Sequence, residues 1–289
     1  MDNLSLDHVA VICADLDATQ RIYTKLGFTL TERSSHHGPV PPEGQLQPWG
    51  TGNHCAMFQH GYLELLGITD PERFHEHLTR RLRRYAGLHL IAFGTASMEP
   101  EVARLREAGV PIANPIHLTR AVPAPGGAKQ AGFDIAYIDE VAWPEADFIL
   151  IRHSNPALLW QQRLLGHANG ARALVGVTVC VDDVGECRER IGQALGISQN
   201  GRFQLKSAQL EIIAPAQLPN RFPGAPVPSS RPRVVAVRIE VEDLSRTRAI
   251  ADVRAHTTYR DQKYIVCVVE QEAGAVIVEF VATGAKENR

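Results

Sequence analysis

The apolar positions of this chain fall into short, strand-length runs separated by stretches of helical spacing, and the order comes round four times. Leu4–Ile12 (LSLDHVAVI) is the first apolar-rich run. Asp15 or Asp17 then stands where a helix N-cap belongs. Leu16, Ile22, Tyr23 and Leu26 recur at helical spacing, and Gly27 closes the helix as a C′ glycine. Thr29–Glu32, Cys55–Phe58 and Tyr62–Leu66 follow as three short strands. The unit is a strand, a helix and three strands.

A second round opens with the strand Leu88–Gly94, continues with a helix over Pro100–Ala108 closed by Gly109, and adds strands near Ile116–Leu118, Asp134–Tyr137 and Phe148–Arg152. The third has Leu174–Val181, a helix over Glu186–Leu195 closed by Gly196, then Phe203–Leu205 and Gln209–Ile213. The fourth has Val234–Val241, a helix near Ser245–Val253, then Tyr264–Val269 and Ala275–Val281. Between rounds two and three, Asn155–Arg172 holds a short helical linker over Leu158–Leu165. Between rounds three and four, Pro215–Pro232 carries six prolines and reads as an extended connection. The pattern predicts an α+β fold of four βαβββ modules. Two domains are expected, 1–165 and 166–289, which agrees with a prior of about 150 residues per domain for a chain of 289.

Composition removes several classes of function. Apolar residues are 44% and charged residues 21%, the balance of a globular protein rather than a disordered or fibrous one. Lys plus Arg is 30 against 32 for Asp plus Glu, so no basic excess points to nucleic acid or an anionic membrane. Arg80, Arg81, Arg83 and Arg84 end a segment, RFHEHLTRRLRR, that reads as a solvated helix balanced by Glu72 and Glu76. The five cysteines form no CxxC and read as buried reduced thiols. The start, MDNLSLDHVAVICADLD, lacks a basic n-region, and no apolar run reaches the roughly 18 residues of a membrane span. A soluble, cytoplasmic protein is expected. There is no nucleophile elbow, P-loop or dinucleotide fingerprint, and Pro123–Lys129 (PAPGGAK) reads as a surface hairpin or lid.

The stretch LDHVAVICADLDATQRIYTKLGF, with YLELLGI after it, resembles the opening module of the vicinal oxygen chelate (glyoxalase/bleomycin resistance/extradiol dioxygenase) superfamily, and GTGNHCAMF…YLELLGITDP resembles its glyoxalase-like group. The resemblance implies paired βαβββ modules curved into two incomplete barrels. It also implies a divalent metal on the concave face, with ligands on the first and last strands of the modules.

With the first strands aligned on their histidines, DHVAVI puts His8 at the strand start and LHLIAF puts His89 in the corresponding place. Gly176 and Ala236 stand there in the other two modules. Glu64 lies in the last strand of the first module, where a carboxylate is expensive to bury without a cation or donors. His8, Glu64 and His89 make a two-histidine, one-carboxylate set that leaves metal positions open, suited to zinc, nickel, manganese or iron alike. Two strand-start histidines and one satisfied glutamate are the plainer account of the same residues. A second carboxylate, expected by resemblance to glyoxalase I on the last strand of module two, is replaced by Ile149 or Leu150.

Glu64 and His153 are the candidate catalytic residues, and Asn53, His54 and Arg152 the candidate substrate contacts, with His36, His37 and Arg120 as further loop-borne polar groups. Glu211 and Glu279 echo Glu64 in the second pair of modules, but without strand-start histidines they do not call for a second metal. Arg238 and Glu240 are left to pair with each other or face solvent.

The expected function is a metal-dependent lyase, isomerase or ring-cleaving dioxygenase acting on a small oxygen-rich molecule. The alternative is a metal-free binding protein that sequesters a small hydrophobic ligand, as drug-resistance relatives do, and the position of His89 separates the two. The second domain is read as a degenerate copy that stabilises the first or forms a homodimer surface.

Overall fold

The computed structural model describes residues 4–40, 44–124, 126–196, 201–251, 256–261, 264–269 and 276–284. The first module is β1 (Ser5–Cys13), α1 (Leu16–Lys25), β2 (Ser34–Val40), β3 (Gln45–Met57) and β4 (Tyr62–Ile68). After α2 (Glu76–Leu82), the second is β5 (Gly87–Gly94), α3 (Met98–Glu107), β6 (Ile116–Ala124), β7 (Gly127–Tyr137) and β8 (Asp147–His153). The third comprises β9 (Ala171–Cys180), α4 (Val184–Leu195), β10 (Arg202–Gln204) and β11 (Gln209–Ile213). A short helix α5 (Leu218–Arg221) lies in the connection to the fourth, which is β12 (Arg233–Val241), α6 (Leu244–Ala251), β13 (His256–Asp261), β14 (Tyr264–Val269) and β15 (Val276–Ala282).

Modules pair two by two through their first strands. One sheet runs β2-β3-β4-β1-β5-β8-β7-β6, the other β10-β11-β9-β12-β15-β14-β13. The seams β1/β5 and β9/β12 are antiparallel, whereas each first strand runs parallel to the last strand of its own module. The edge strands β2 and β6 of the first sheet come together, so that sheet curls into a cup. This is the expected α+β fold of paired, curved, incomplete barrels.

Each seam carries β-bulges at equivalent places. The register steps over Asp7 and His89 in the first sheet and over Val175 and Val235 in the second. A bulge adds one residue to one strand and re-aims the side chains that follow it. Four modules repeating it at one position makes it part of the architecture.

The helices start where capping chemistry allows. Asp15 accepts from the Ala18 amide at 2.8 Å, and Asp183 from the Glu186 amide at 2.9 Å. Gly27 ends α1 at φ +87°, and a Cβ there would sit 2.8 Å from the Asn169 amide nitrogen, so the linker can cross only a glycine. One core cluster runs through both halves, including Val9, Leu63 and Phe93 from the first sheet and Leu174, Val237 and Phe280 from the second. The opposite face of the first sheet carries a separate cluster that includes Tyr62, Ala92, Phe133 and Ile149.

Several expected elements shift. Thr29–Glu32 is irregular: the Thr29 amide donates to His167 Nδ1 at 3.0 Å and the Thr31 amide to the Cys55 carbonyl at 2.9 Å, so this stretch anchors the linker. The strand comes after it, which places His36 and His37 on β2 rather than in a loop. Pro215–Pro232 is not a purely extended connection, since it contains α5. Pro123–Lys129 is the turn of the β6/β7 hairpin, with Pro125 outside the described residues. The expected ends at Val253 and Ala275 lie outside them too. All five cysteines are buried.

Candidate functional site

A cavity of about 660 Å³ opens on the concave face of the first sheet. Its walls are apolar, with Ile12, Leu66, Leu90, Phe133, Ile135 and Ile149 among them. Among its polar groups are His8 from β1, His36 and His37 from β2, Glu64 from β4, and Arg120 from β6. The helix α2 contributes His77, Arg80 and Arg81, so it covers the cup and is not merely a solvated face. Such a volume, mostly apolar with convergent polar groups, is that of a small-molecule site.

Asp7 organises the floor. Its carboxylate lies 2.8 Å from His8 Nδ1 and 3.0 Å from His153 Nε2. Burial alone would raise its pKa, but hydrogen bonds from both imidazoles bring it down to about 2. An ionised carboxylate only accepts, so both ring nitrogens facing it must carry protons. That fixes the tautomers of neutral imidazoles: His8 presents a bare Nε2 to the cavity, and His153 a bare Nδ1. The His153 Nδ1 is buried without a partner. His8 stacks on Tyr62, ring centroids 4.4 Å apart, and Trp160 stands edge-on to His153 at 5.0 Å.

Glu64 faces His8 across the floor, with Oε2 3.9 Å from His8 Nε2. The Asn53 amide donates to its other oxygen. Burial would raise the Glu64 pKa. His8, His36, Arg120 and the Asn53 amide outweigh that and hold it below the usual range. His36 donates or accepts at 2.9 Å with Thr51 Oγ1, and burial pushes its pKa down to about 4.

Four of the expected site residues meet here: His8, Glu64, Asn53 and, through Asp7, His153. Three do not. His89 is the bulged residue of β5 and does not line the cavity. Its Nε2 donates to the Tyr85 carbonyl at 2.8 Å and its ring lies on that of Tyr85. Counted from the N-caps Asp15 and Ser97, or from Gly27 and Gly109, the counterpart of His8 is Leu90; His89 matches Asp7. A one-residue slip in the alignment misplaces the side chain. His54 is buried beside Leu65 on β3 and donates to the Thr31 carbonyl at 2.8 Å, away from the cavity. Arg152 pairs with Asp134, on the other side of which stands His117.

Two residues with functional placement escaped the sequence reading. Asp7 was visible only as the neighbour of His8, and His77 only as part of a charged helix.

The same counting locates the Glu64 position in every module. Ala10 pairs with Glu64, Ala92 with Ile149, Thr178 with Glu211 and Arg238 with Glu279. Three modules keep a carboxylate, and the second has Ile149.

A model of the glyoxalase-like domain family matches residues 6–195, about two thirds of the chain. The chain belongs to the glyoxalase-like domain family. With its fold, this places it in the vicinal oxygen chelate superfamily. A hypothetical protein from Staphylococcus aureus superposes with a TM-score of 0.67 at 13% identity, covering 96% of this chain and 99% of that one. A variant of 4-hydroxymandelate synthase from Streptomyces coelicolor gives a TM-score of 0.59 at 14% identity, covering 99% of this chain and 94% of that one. Identities this low speak for shared fold alone. No curated protein sequence matches the chain. No helix among the described residues is long and apolar enough to cross a membrane.

The superfamily implies a divalent metal in the cup of this glyoxalase-like chain. The donor set does not fit a three-residue centre. His8 and Glu64 face each other, but the partner positions across the seam hold Leu90 and Ile149, whose side chains cannot ligate. Among the described residues no group of three His, Cys, Asp or Glu side chains is placed to hold an ion.

The second cup is filled by the chain itself. Leu218 and Phe222 from the α5 segment pack into a cluster with Val235, Val266 and Ile277. Arg221 reaches between the two carboxylates: Nε donates to Glu211 at 2.9 Å, and Nη1 and Nη2 donate to Glu279 at 2.6 and 2.8 Å. Arg238 also donates to Glu279, at 2.7 Å, instead of pairing with Glu240 or facing solvent. The carboxylates that echo Glu64 are therefore already paired with guanidinium groups.

Proposed function

We propose that this member of the glyoxalase-like family is an enzyme that moves a proton on a small organic molecule in the first cup, with His8 as the acid–base group. The observation that carries this is the Asp7 carboxylate bound to His8 Nδ1, which leaves His8 Nε2 exposed to the cavity opposite Glu64.

An acidic C–H or O–H seated in the cavity against both His8 and Glu64 gives its proton to Nε2. The imidazolium so formed lies between two carboxylates, Asp7 on one side and Glu64 on the other, and both stabilise it. Tyr62, stacked on the ring, and the hydrogen bond to Asp7 hold the imidazole in one orientation, so no reorganisation is needed at the moment of transfer. The proton returns from Nε2 to another atom of the substrate or to water as the product leaves. Apolar walls restrict water in the cup and strengthen these interactions.

The test has two arms. Tag-free protein is analysed for bound metal beside His8→Ala and Glu64→Gln, and all three are incubated in deuterium oxide with a panel of small carbonyl and hydroxy compounds followed by NMR. The expected result is less than one equivalent of metal in each protein, and deuterium exchange that the His8→Ala variant loses. One equivalent of zinc, nickel, manganese or iron, abolished by both substitutions, would replace this reading with a metal-dependent lyase or dioxygenase. Binding without exchange would replace it with metal-free sequestration.

A further inference from the structure

Arg120 differs from three other enclosed arginines of the chain. Arg81, Arg190 and Arg221 each meet a carboxylate: Asp147, Glu145 and Glu279 respectively. Arg120 has no ion pair among the described residues, and its Nε is buried without a hydrogen-bond partner. It lines the cavity, lies 5.5 Å over the ring of Phe133, and is near enough for its charge to act on Glu64, His36 and Tyr62.

A cation–aromatic contact recovers only a small part of the cost of removing a guanidinium from water. The contact with Phe133 and the neutral thiol of Cys55 beside it therefore leave the charge of Arg120 without a counterion. An anion arriving from the cavity supplies one. We propose that Arg120 docks the carboxylate of a small monocarboxylic acid whose hydrocarbon body lies along Leu90, Ile135 and Ile149; this rests on the first cup being a substrate site.

The chemistry selects that class of ligand. A guanidinium presents a planar fork that matches a carboxylate with two parallel hydrogen bonds. Phosphate esters carry nearly two negative charges and call for more than one cation. The other arginines in the cavity wall are already committed, Arg81 to Asp147 and Arg80 to Glu140. Glu64, held ionised nearby, further disfavours a dianion. The walls are mostly hydrocarbon, with Tyr62, Thr119 and Tyr137 the neutral hydroxyl-bearing residues among them, so the body of the acid is aliphatic or aromatic rather than sugar-like.

Phenylacetate and 4-methylpentanoate serve as probes, with phenylacetamide as the uncharged match of the first, and binding is read by ligand-observed NMR titration. The expected result is at least tenfold tighter binding of phenylacetate than of phenylacetamide. Arg120→Gln should abolish that preference and Arg120→Lys should restore part of it. The acid–amide comparison on the unaltered protein stands even if Arg120→Gln fails to fold. Equal affinity for acid and amide, an unchanged preference in a folded Arg120→Gln, or no binding of either acid at millimolar concentration overturns the proposal. His8→Ala should keep the preference while losing deuterium exchange, so failure of the proton-transfer reading and failure of this one are told apart.

Discussion

His89 lies flat on Tyr85, with ring centroids 3.9 Å apart and planes 13° from parallel. Burial pushes its pKa down to about 4, against an ordinary value of 6.5, although the hydrogen bond to the Tyr85 carbonyl pulls the other way. The unfolded chain takes up a proton on this residue near pH 6.5 and the folded chain only near pH 4. Its contribution to stability is therefore complete above about pH 6.5 and is lost as pH falls toward about 4. His89→Phe keeps the stacked ring and removes the titration. Melting temperatures measured from pH 7.5 to 4.5 should fall less steeply for His89→Phe than for the wild type. Parallel curves would show that His89 does not titrate in this window.

Asp7→Asn removes the charge that holds two imidazoles. A carboxamide cannot present a charged acceptor to both His8 and His153, and a buried network with one member removed typically loses about 3–5 kcal/mol. Chemical denaturation should show a loss of about 3 kcal/mol. Nitrogen-resolved NMR should show the ring protons at His8 Nδ1 and His153 Nε2 losing their defined positions. Wild-type stability in this variant would mean that Asp7 organises nothing.

Arg221→Met should destabilise the chain by about 3 kcal/mol, the lower end of the range for a broken buried pair, because Arg202 and Arg238 still reach Glu211 and Glu279. Adding Glu279→Gln to it should recover part of the loss, whereas two independent losses would simply add. Urea titrations of the single and double variants give the comparison. Additive losses would sever the proposed coupling.

A single core cluster crosses both sheets, and backbone bonds such as Leu174 to the His60 carbonyl at 2.9 Å join the halves. Calorimetry should accordingly give one transition, with equal calorimetric and van't Hoff enthalpies, rather than one for each half. Two resolved peaks would show halves that unfold separately.

Much of this architecture is legible in the sequence. The first three strand–helix openings are marked by Asp15 or Asp17 and by the closing glycines Gly27, Gly109 and Gly196, because caps and apolar spacing are local properties. The strand beginning at Ser34 was missed, since its sequence, SSHHGPV, has the polarity of a loop and depends on pairing with β3. The site was legible in part. Strand-borne Glu64 and the DHV start gave two of its groups, but a bulge leaves no trace in the pattern, and His89 was assigned to the position Leu90 holds. Arg120 could be noticed as a polar residue, yet its want of an ion pair among the described residues is a property of the folded cup alone.

The two cups differ in where their countercharge comes from. In the second, Arg221 travels with the chain on a tether, always at hand, and the electrostatic question is closed at the moment of folding. In the first, Arg120 is left with its valence open. The first cup is a lock whose last tumbler is a solute, and the thermal stability of the whole chain should therefore follow the composition of the surrounding solution through that cup and not through the second.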